Sequence, residues 1–81
     1  MTVMPNGMSE NRIGISISHR EGNSVIRHRF IRRMREIFRT TDLQTVQGND
    51  IVITARNGAG TASFDTLKKE YLMLLSIHKM I

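Results

Sequence analysis

Residues 22–39 read GNSVIRHRFIRRMREIFR and combine a helix start, an apolar stripe and a row of cations. At about 100° per residue, Ile26, Phe30, Met34 and Ile37 fall on one arc, with Phe38 at its edge. His28, Arg29, Arg32, Arg35 and Arg39 fall on the opposite arc, and the 28, 32, 35, 39 spacing sets four of them in one line. Asn23 and Ser24 are both good N-cap types just before the apolar period begins, and Gly22 lets the chain turn into the helix. The pattern predicts a helix with one face buried and the other carrying a line of positive charge suited to a phosphate backbone.

Between His19 and Arg39 there are seven Arg and two Glu, a net of +5 that equals the formal net charge of the whole chain. The remaining residues sum to zero. Every basic residue of the predicted helix is Arg or His, and Arg offers a planar fork of donors that matches phosphate oxygens and stacks on bases. A charge run is commonly just a solvated face, but here the excess is confined to one helix of an otherwise neutral chain. A pI near 10.8 points to an anionic partner, either nucleic acid or an acidic membrane surface.

At 81 residues the chain has room for one domain with a small core. It has no Cys, which excludes disulfides and thiolate metal ligands and fits a reducing compartment. No apolar run approaches the roughly 20 residues of a membrane span, and the N-terminus lacks the order of a signal peptide. The expected location is the cytoplasm, with no membrane involvement.

Outward from the helix, Arg12 to Ser18 alternates strictly, Ile13, Ile15 and Ile17 on one face and Gly14, Ser16 and Ser18 on the other. This predicts a strand whose Ile face is buried and whose small face leaves room for close approach of another element or a ligand, most simply a neighbouring helix over Gly14. Met1 to Met4 followed by Pro5-Asn6-Gly7 reads as a strand end running into a hairpin. Beyond the helix, Thr40 to Asn49 is a polar connection. Asp50 to Ala55 is a second strand whose Ile51, Val52 and Ile53 resemble a buried β-branched run. Strand, helix, strand implies a crossover between neighbouring or parallel strands. Ser63 can cap a last helix with Asp65 in its first turn, and Phe64, Leu67, Tyr71, Leu74, Leu75 and His78 recur at helical spacing.

Catalytic chemistry is not written in the chain. Gly58-x-Gly60 lacks the further residues of a P-loop or a dinucleotide fingerprint. His19, His28 and His78 have no metal-site spacing, and no carboxylate pair is set on one element for acid and base work. The four aromatic residues, Phe30, Phe38, Phe64 and Tyr71, all read as core-facing, which favours backbone and shape recognition over base reading.

The runs NRIGISIS, REGNSVIRHRF, DIVITARNGAG and ASFDTLKKEYLMLL resemble, in order and spacing, the protein component of bacterial ribonuclease P over about residues 11–75. Its Arg-rich motif is Gly-Asn-Ala-Val-x-Arg-Asn-Arg-x-Lys-Arg-x-x-Arg. Gly22, Asn23, Val25, Arg27, Arg29, Arg32 and Arg35 match, with Ser24 a mild change. Asp50, Ala55 and Arg56 fit the following strand. The departures are His28 at the Asn position, Ile31 at the Lys position and Arg33 at a usually apolar one.

The resemblance implies an α+β fold, a small α/β sandwich like the second domain of a ribosomal small-subunit protein. Its basic central helix lies in a strand-helix-strand crossover, and a C-terminal helix packs on the small sheet. It implies a left-handed crossover where pattern reasoning chooses a right-handed one. It further implies a single domain over 1–81 without the family's usual N-terminal helix and first strand, through either a misassigned start or a real shortening. The implied role is an enzyme component in tRNA 5′ processing that binds ribonuclease P RNA and the 5′ leader of precursor tRNA. The RNA performs the hydrolysis and mainly holds the Mg²⁺. No protein residue is catalytic and no protein partner is required. The expected RNA-binding residues are Arg20, Asn23, Arg27, Arg29, Arg32, Arg35 and Arg39. The same basic helix would also serve a non-enzymatic RNA-binding module of ribosomal type, or an amphipathic membrane-surface helix.

Overall fold

The computed structural model describes residues 1–56 and 58–81; Asn57 lies outside the described residues. Three strands, β1 (Thr2–Pro5), β2 (Arg12–Ser16) and β3 (Asn49–Thr54), and two helices, α1 (Ser24–Thr41) and α2 (Phe64–Ile77), follow in the order β1-β2-α1-β3-α2. Short 3-10 turns at His19–Glu21, Asp42–Gln44 and Ala59–Thr61 join them. This is a small α+β fold with both helices on one face of the sheet.

The sheet order is β1-β3-β2. β2 and β3 run parallel, with Ile13 opposite Ile51 and Ile15 opposite Ile53, so the predicted crossover joins neighbouring parallel strands through α1. The hairpin expectation is corrected. β1 pairs antiparallel with β3, Thr2 opposite Val52 and Pro5 opposite Asn49, and residues 6–11 carry the chain past the end of β3 to the other edge. Asn6 directs that passage: its Oδ1 accepts from Met8 N at 2.8 Å and its Nδ2 donates to Asp50 Oδ1 at 3.1 Å. Local turn chemistry bends the chain, but it does not choose the pairing partner.

As the central strand, β3 buries Ile51 and Ile53 on the helix side, while Val52 faces outward and is 36% exposed. The run is therefore buried on one face only, and alternation governs it. Ile13, Ile15 and Ile17 are half-buried against the core, less than expected because β2 is an edge. β2 ends at Ser16, two residues short of the predicted span. Among the described residues no helix covers Gly14, which lies exposed on the open face; a Cβ there would meet Val52 Cγ2 at an ordinary 3.9 Å.

Phe30, Met34 and Ile37 of α1 pack with Leu67, Tyr71 and Leu75 of α2 over Ile51 and Ile53. α1 begins as expected, with Asn23 Oδ1 accepting from Ile26 N at 3.0 Å. Gly22 is required twice over. Its φ of 148° disfavours any side chain, and a Cβ would sit 2.9 Å from Ile26. The helix runs to Thr41, two residues into the predicted connection, with Thr41 Oγ1 donating to Ile37 O at 2.7 Å.

Asn11 ties that connection to the sheet. Buried at 8% exposure, its Nδ2 donates to Asp42 Oδ1, Thr45 Oγ1 and Val46 O within 3.0 Å, and its Oδ1 accepts from Asn49 N at 2.8 Å. Ser63 caps α2 by accepting from Thr66 N at 3.2 Å. At the other end Lys79, at φ 58°, takes the left-handed position usually filled by Gly. Met80 N donates to Leu75 O at 2.8 Å and Lys79 N to Ser76 O at 3.0 Å. Met80 then packs into the core, completing a Schellman closure, while His78 stays exposed at the cap.

Candidate nucleic-acid interface

Because Phe30, Met34 and Ile37 are consumed by the core, the far side of α1 is left to solvent. His28, Arg32, Arg35 and Arg39 are all exposed and stand in one line along the axis, as their spacing predicts. With Ile31 and Glu36 they line a shallow depression of about 440 Å³ formed by this helix alone.

Glu36 changes the character of the line. Its carboxylate accepts from Arg39 Nε at 3.1 Å and Arg39 Nη2 at 2.6 Å. The hydrogen bonds from Arg39 hold the Glu36 carboxyl below its ordinary range, and the same bonds raise the Arg39 guanidinium. Arg39 therefore presents Nη1 and a partly neutralised charge, whereas Arg32 and Arg35 carry no ion pair among the described residues. Sequence reasoning missed this, although Glu-x-x-Arg on a helix is a readable i,i+3 pair.

The other expected contacts do not lie on the same surface. Arg27 and Arg29 are half-buried and sit about 200° apart around the helix, on opposite flanks of the apolar face. Their Nε atoms are shielded from solvent without a hydrogen-bond partner among the described residues. Arg20 is exposed in the turn before α1. Asn23 commits its carbonyl oxygen to the helix cap, so Gly22 and Asn23 both have helix initiation as a sufficient reason. Arg33, outside the expected set, folds across the domain and donates from Nη1 to Ala62 O at 3.0 Å. It tethers α1 to the glycine loop.

That loop is a packing device. A Cβ on Gly60 would lie 3.0 Å from Ile26 Cγ2 and 3.1 Å from Glu21 O, so the glycine permits close approach of the loop to the start of α1. Its signal in the sequence was the Gly58-x-Gly60 pair, but the contact that Gly60 serves is long-range. A bidentate pair elsewhere, Arg12 Nε and Nη2 to Asp50 at 2.8 Å, clips β2 to β3. The hydrogen bonds from Arg12 and Asn6 hold the Asp50 carboxyl below its ordinary range. Among the described residues no three His, Cys, Asp or Glu side chains converge to hold a metal ion. No helix among them is long and apolar enough to cross a membrane.

The family profile for ribonuclease P matches residues 1–79. The chain belongs to the ribonuclease P protein family. The ribonuclease P protein component of Lachnoclostridium phytofermentans is 42% identical over 81 residues, all of this chain and 70% of that protein. The component of Caldanaerobacter subterraneus is 43% identical over 75 residues, 93% of this chain and 65% of that protein. Among solved structures, the ribonuclease P protein of Thermotoga maritima in complex with a fluorophenyl thiourea superimposes with a TM-score of 0.83 at 30% identity, covering 90% of this chain and 72% of that one. A mutant of the Staphylococcus aureus ribonuclease P protein with defective mRNA degradation activity gives 0.85 at 28% identity, covering 98% and 67%. The chain thus spans 65–72% of the length of these family members.

As a ribonuclease P family protein, the chain keeps the motif positions on α1 but divides their duties. Gly22 and Asn23 start the helix, Arg27 and Arg29 lie half-buried on its flanks, and Arg32 and Arg35 stand exposed on the outer face. Two of the three departures have structural consequences: Ile31 packs partly against the core, and Arg33 gains the bond to Ala62. His28 opens the exposed line.

Proposed function

We propose that the chain is the protein partner of ribonuclease P RNA, binding that RNA and the 5′ leader of precursor tRNA to assist 5′ maturation. The observation that supports this is the exposed line of His28, Arg32, Arg35 and Arg39 on a helix whose apolar face is already used by the core. In a family named for ribonuclease P, such a line is suited to phosphate. The RNA performs phosphodiester hydrolysis, and no protein group acts on the scissile bond.

Arg32 and Arg35 take phosphates as full cations, Arg39 contributes in part, and Arg20, Arg27, Arg29 and the Asn23 amide extend the contact around the helix. Placing cations between two polyanions releases condensed counterions and lowers their repulsion, so less free divalent ion is needed to bring them together. In this reading the Mg²⁺ is held mainly by the RNA. The assembly works in the cytoplasm, with no membrane and no further protein partner.

The test is cleavage of precursor tRNA by a bacterial ribonuclease P RNA at low Mg²⁺, with and without the chain. Stimulation supports the reading. RNA binding without stimulation would replace it with a general RNA-binding module.

A further inference from the structure

The exposed side of α1 is a groove rather than a simple row. Residues four apart form ridges on a helix surface. His28, Arg32 and Glu36 make one ridge here, and Ile31, Arg35 and Arg39 make the next, with the depression between them. The two ends of this groove differ. At the end nearer the start of α1, an imidazole ring faces an aliphatic side chain, and Ile31 is half-buried so that its position is held by the core. In the middle stand the two unpaired guanidinium groups. At the far end Glu36 holds Arg39 through two hydrogen bonds, and its carboxylate repels phosphate.

A duplex backbone laid along this helix would meet the guanidinium groups and leave the apolar side chain of Ile31, beside His28, without a matching surface. A planar ring fits the His28–Ile31 end. Imidazole stacks on bases, and an aliphatic floor takes the edge of a ring without desolvating a polar group. His28 and Arg32 are separated by about 6 Å along the axis, which is the scale of the reach from a nucleotide's base to its own phosphate. We propose that this groove takes one unstacked nucleotide of a bulge, loop or single strand, its base on His28 over Ile31 and its phosphate on Arg32 and Arg35. The inference rests on the RNA-binding reading above and adds a preference for unpaired nucleotides to it. His28 and Ile31, both departures from the family motif, are then specificity residues rather than losses of two polar contacts.

The experiment compares two RNA hairpins, identical except that a fluorescent adenine analogue is bulged in one and paired in the other. Base–aromatic stacking is worth ~5- to 150-fold per base, so the intact chain should bind the bulged RNA about tenfold tighter and change the emission of the bulged base. His28→Ala should bring the affinity ratio near one and abolish the emission change, whereas His28→Phe, which keeps a stacking ring, should restore both. Equal affinity for the two hairpins, or a preference that survives His28→Ala, overturns the groove assignment while leaving RNA binding intact. Failure to bind either hairpin overturns the RNA-binding reading itself.

Discussion

Removing Arg32 and Arg35 together should cut the salt dependence of RNA binding by a calculable amount. Both side chains are exposed, and neither is ion-paired among the described residues, so each can neutralise a full phosphate charge. On duplex RNA or DNA each such contact adds about 0.9 to the slope of log K against log salt. Arg32→Ala with Arg35→Ala should therefore flatten that slope by about 1.8, a loss of roughly sixtyfold at 0.1 M salt relative to 1 M.

Arg39 supplies the internal comparison. Because Glu36 already holds its Nε and Nη2, Arg39→Ala should flatten the slope by less than about 0.5, and Glu36→Gln should steepen it by up to about 0.9. Fluorescence anisotropy with a labelled RNA hairpin between 50 and 300 mM salt, conditions chosen around the ~8–10 Å screening length, would measure the parent, these three variants and Arg35→Ala alone. None of these side chains belongs to the core, so thermal midpoints should stay close to that of the parent. The reasoning is refuted if the double variant leaves the slope unchanged, or if Arg39→Ala flattens it as much as Arg35→Ala alone.

Other consequences concern stability. Asn11→Ala leaves the part-buried partners of four hydrogen bonds without their shared group. At about 1–3 kcal/mol per stranded group, partly relieved by water, the loss should be about 3 kcal/mol; a change under about 0.5 kcal/mol in urea denaturation would contradict that accounting. Lys79→Gly should stabilise the domain by about 1 kcal/mol, because Lys79 occupies the left-handed region at φ 58°, and the thermal midpoint should rise accordingly. Burial, with the charge of Asp42 adding and the hydrogen bond with Thr41 opposing, pushes the Tyr71 phenol from 10.0 up to about 12. The neutral phenol therefore contributes fully below pH 10, and that contribution fades as pH rises from 10 through about 12. Tyr71→Phe should remove this part of the alkaline loss measured by urea denaturation, while an absorbance titration of the parent should place the phenol midpoint near 12.

Features that depend on neighbours in sequence were legible in the chain. The start of α1 follows from Gly22 and Asn23, its buried face from the spacing of Ile26, Phe30, Met34 and Ile37, and the cap of α2 from Ser63. Each is decided within one or two helical turns, where backbone geometry leaves few alternatives. The line of His28, Arg32, Arg35 and Arg39 was legible for the same reason. The Glu36–Arg39 pair could have been read from its spacing but was not. The C-terminal closure could not, because Lys79 stands where Gly is the usual signal, and Met80 is drawn into that turn by the core rather than by local preference.

The sequence by itself determined the two helices, the inward faces of α1, α2 and β2, and the concentration of charge on one helix, since periodicity and capping act locally. Only the tertiary structure decided that β1 joins β3 rather than β2, that Gly60 must be small because Ile26 approaches it, and that Asn11 gathers the connection before β3. It also decided that the seven expected contact residues are spread over the start, both flanks and the outer face of α1. Those outcomes depend on which surfaces, distant along the chain, meet across the core. Alternation and spacing specify that a face is buried without specifying what it is buried against.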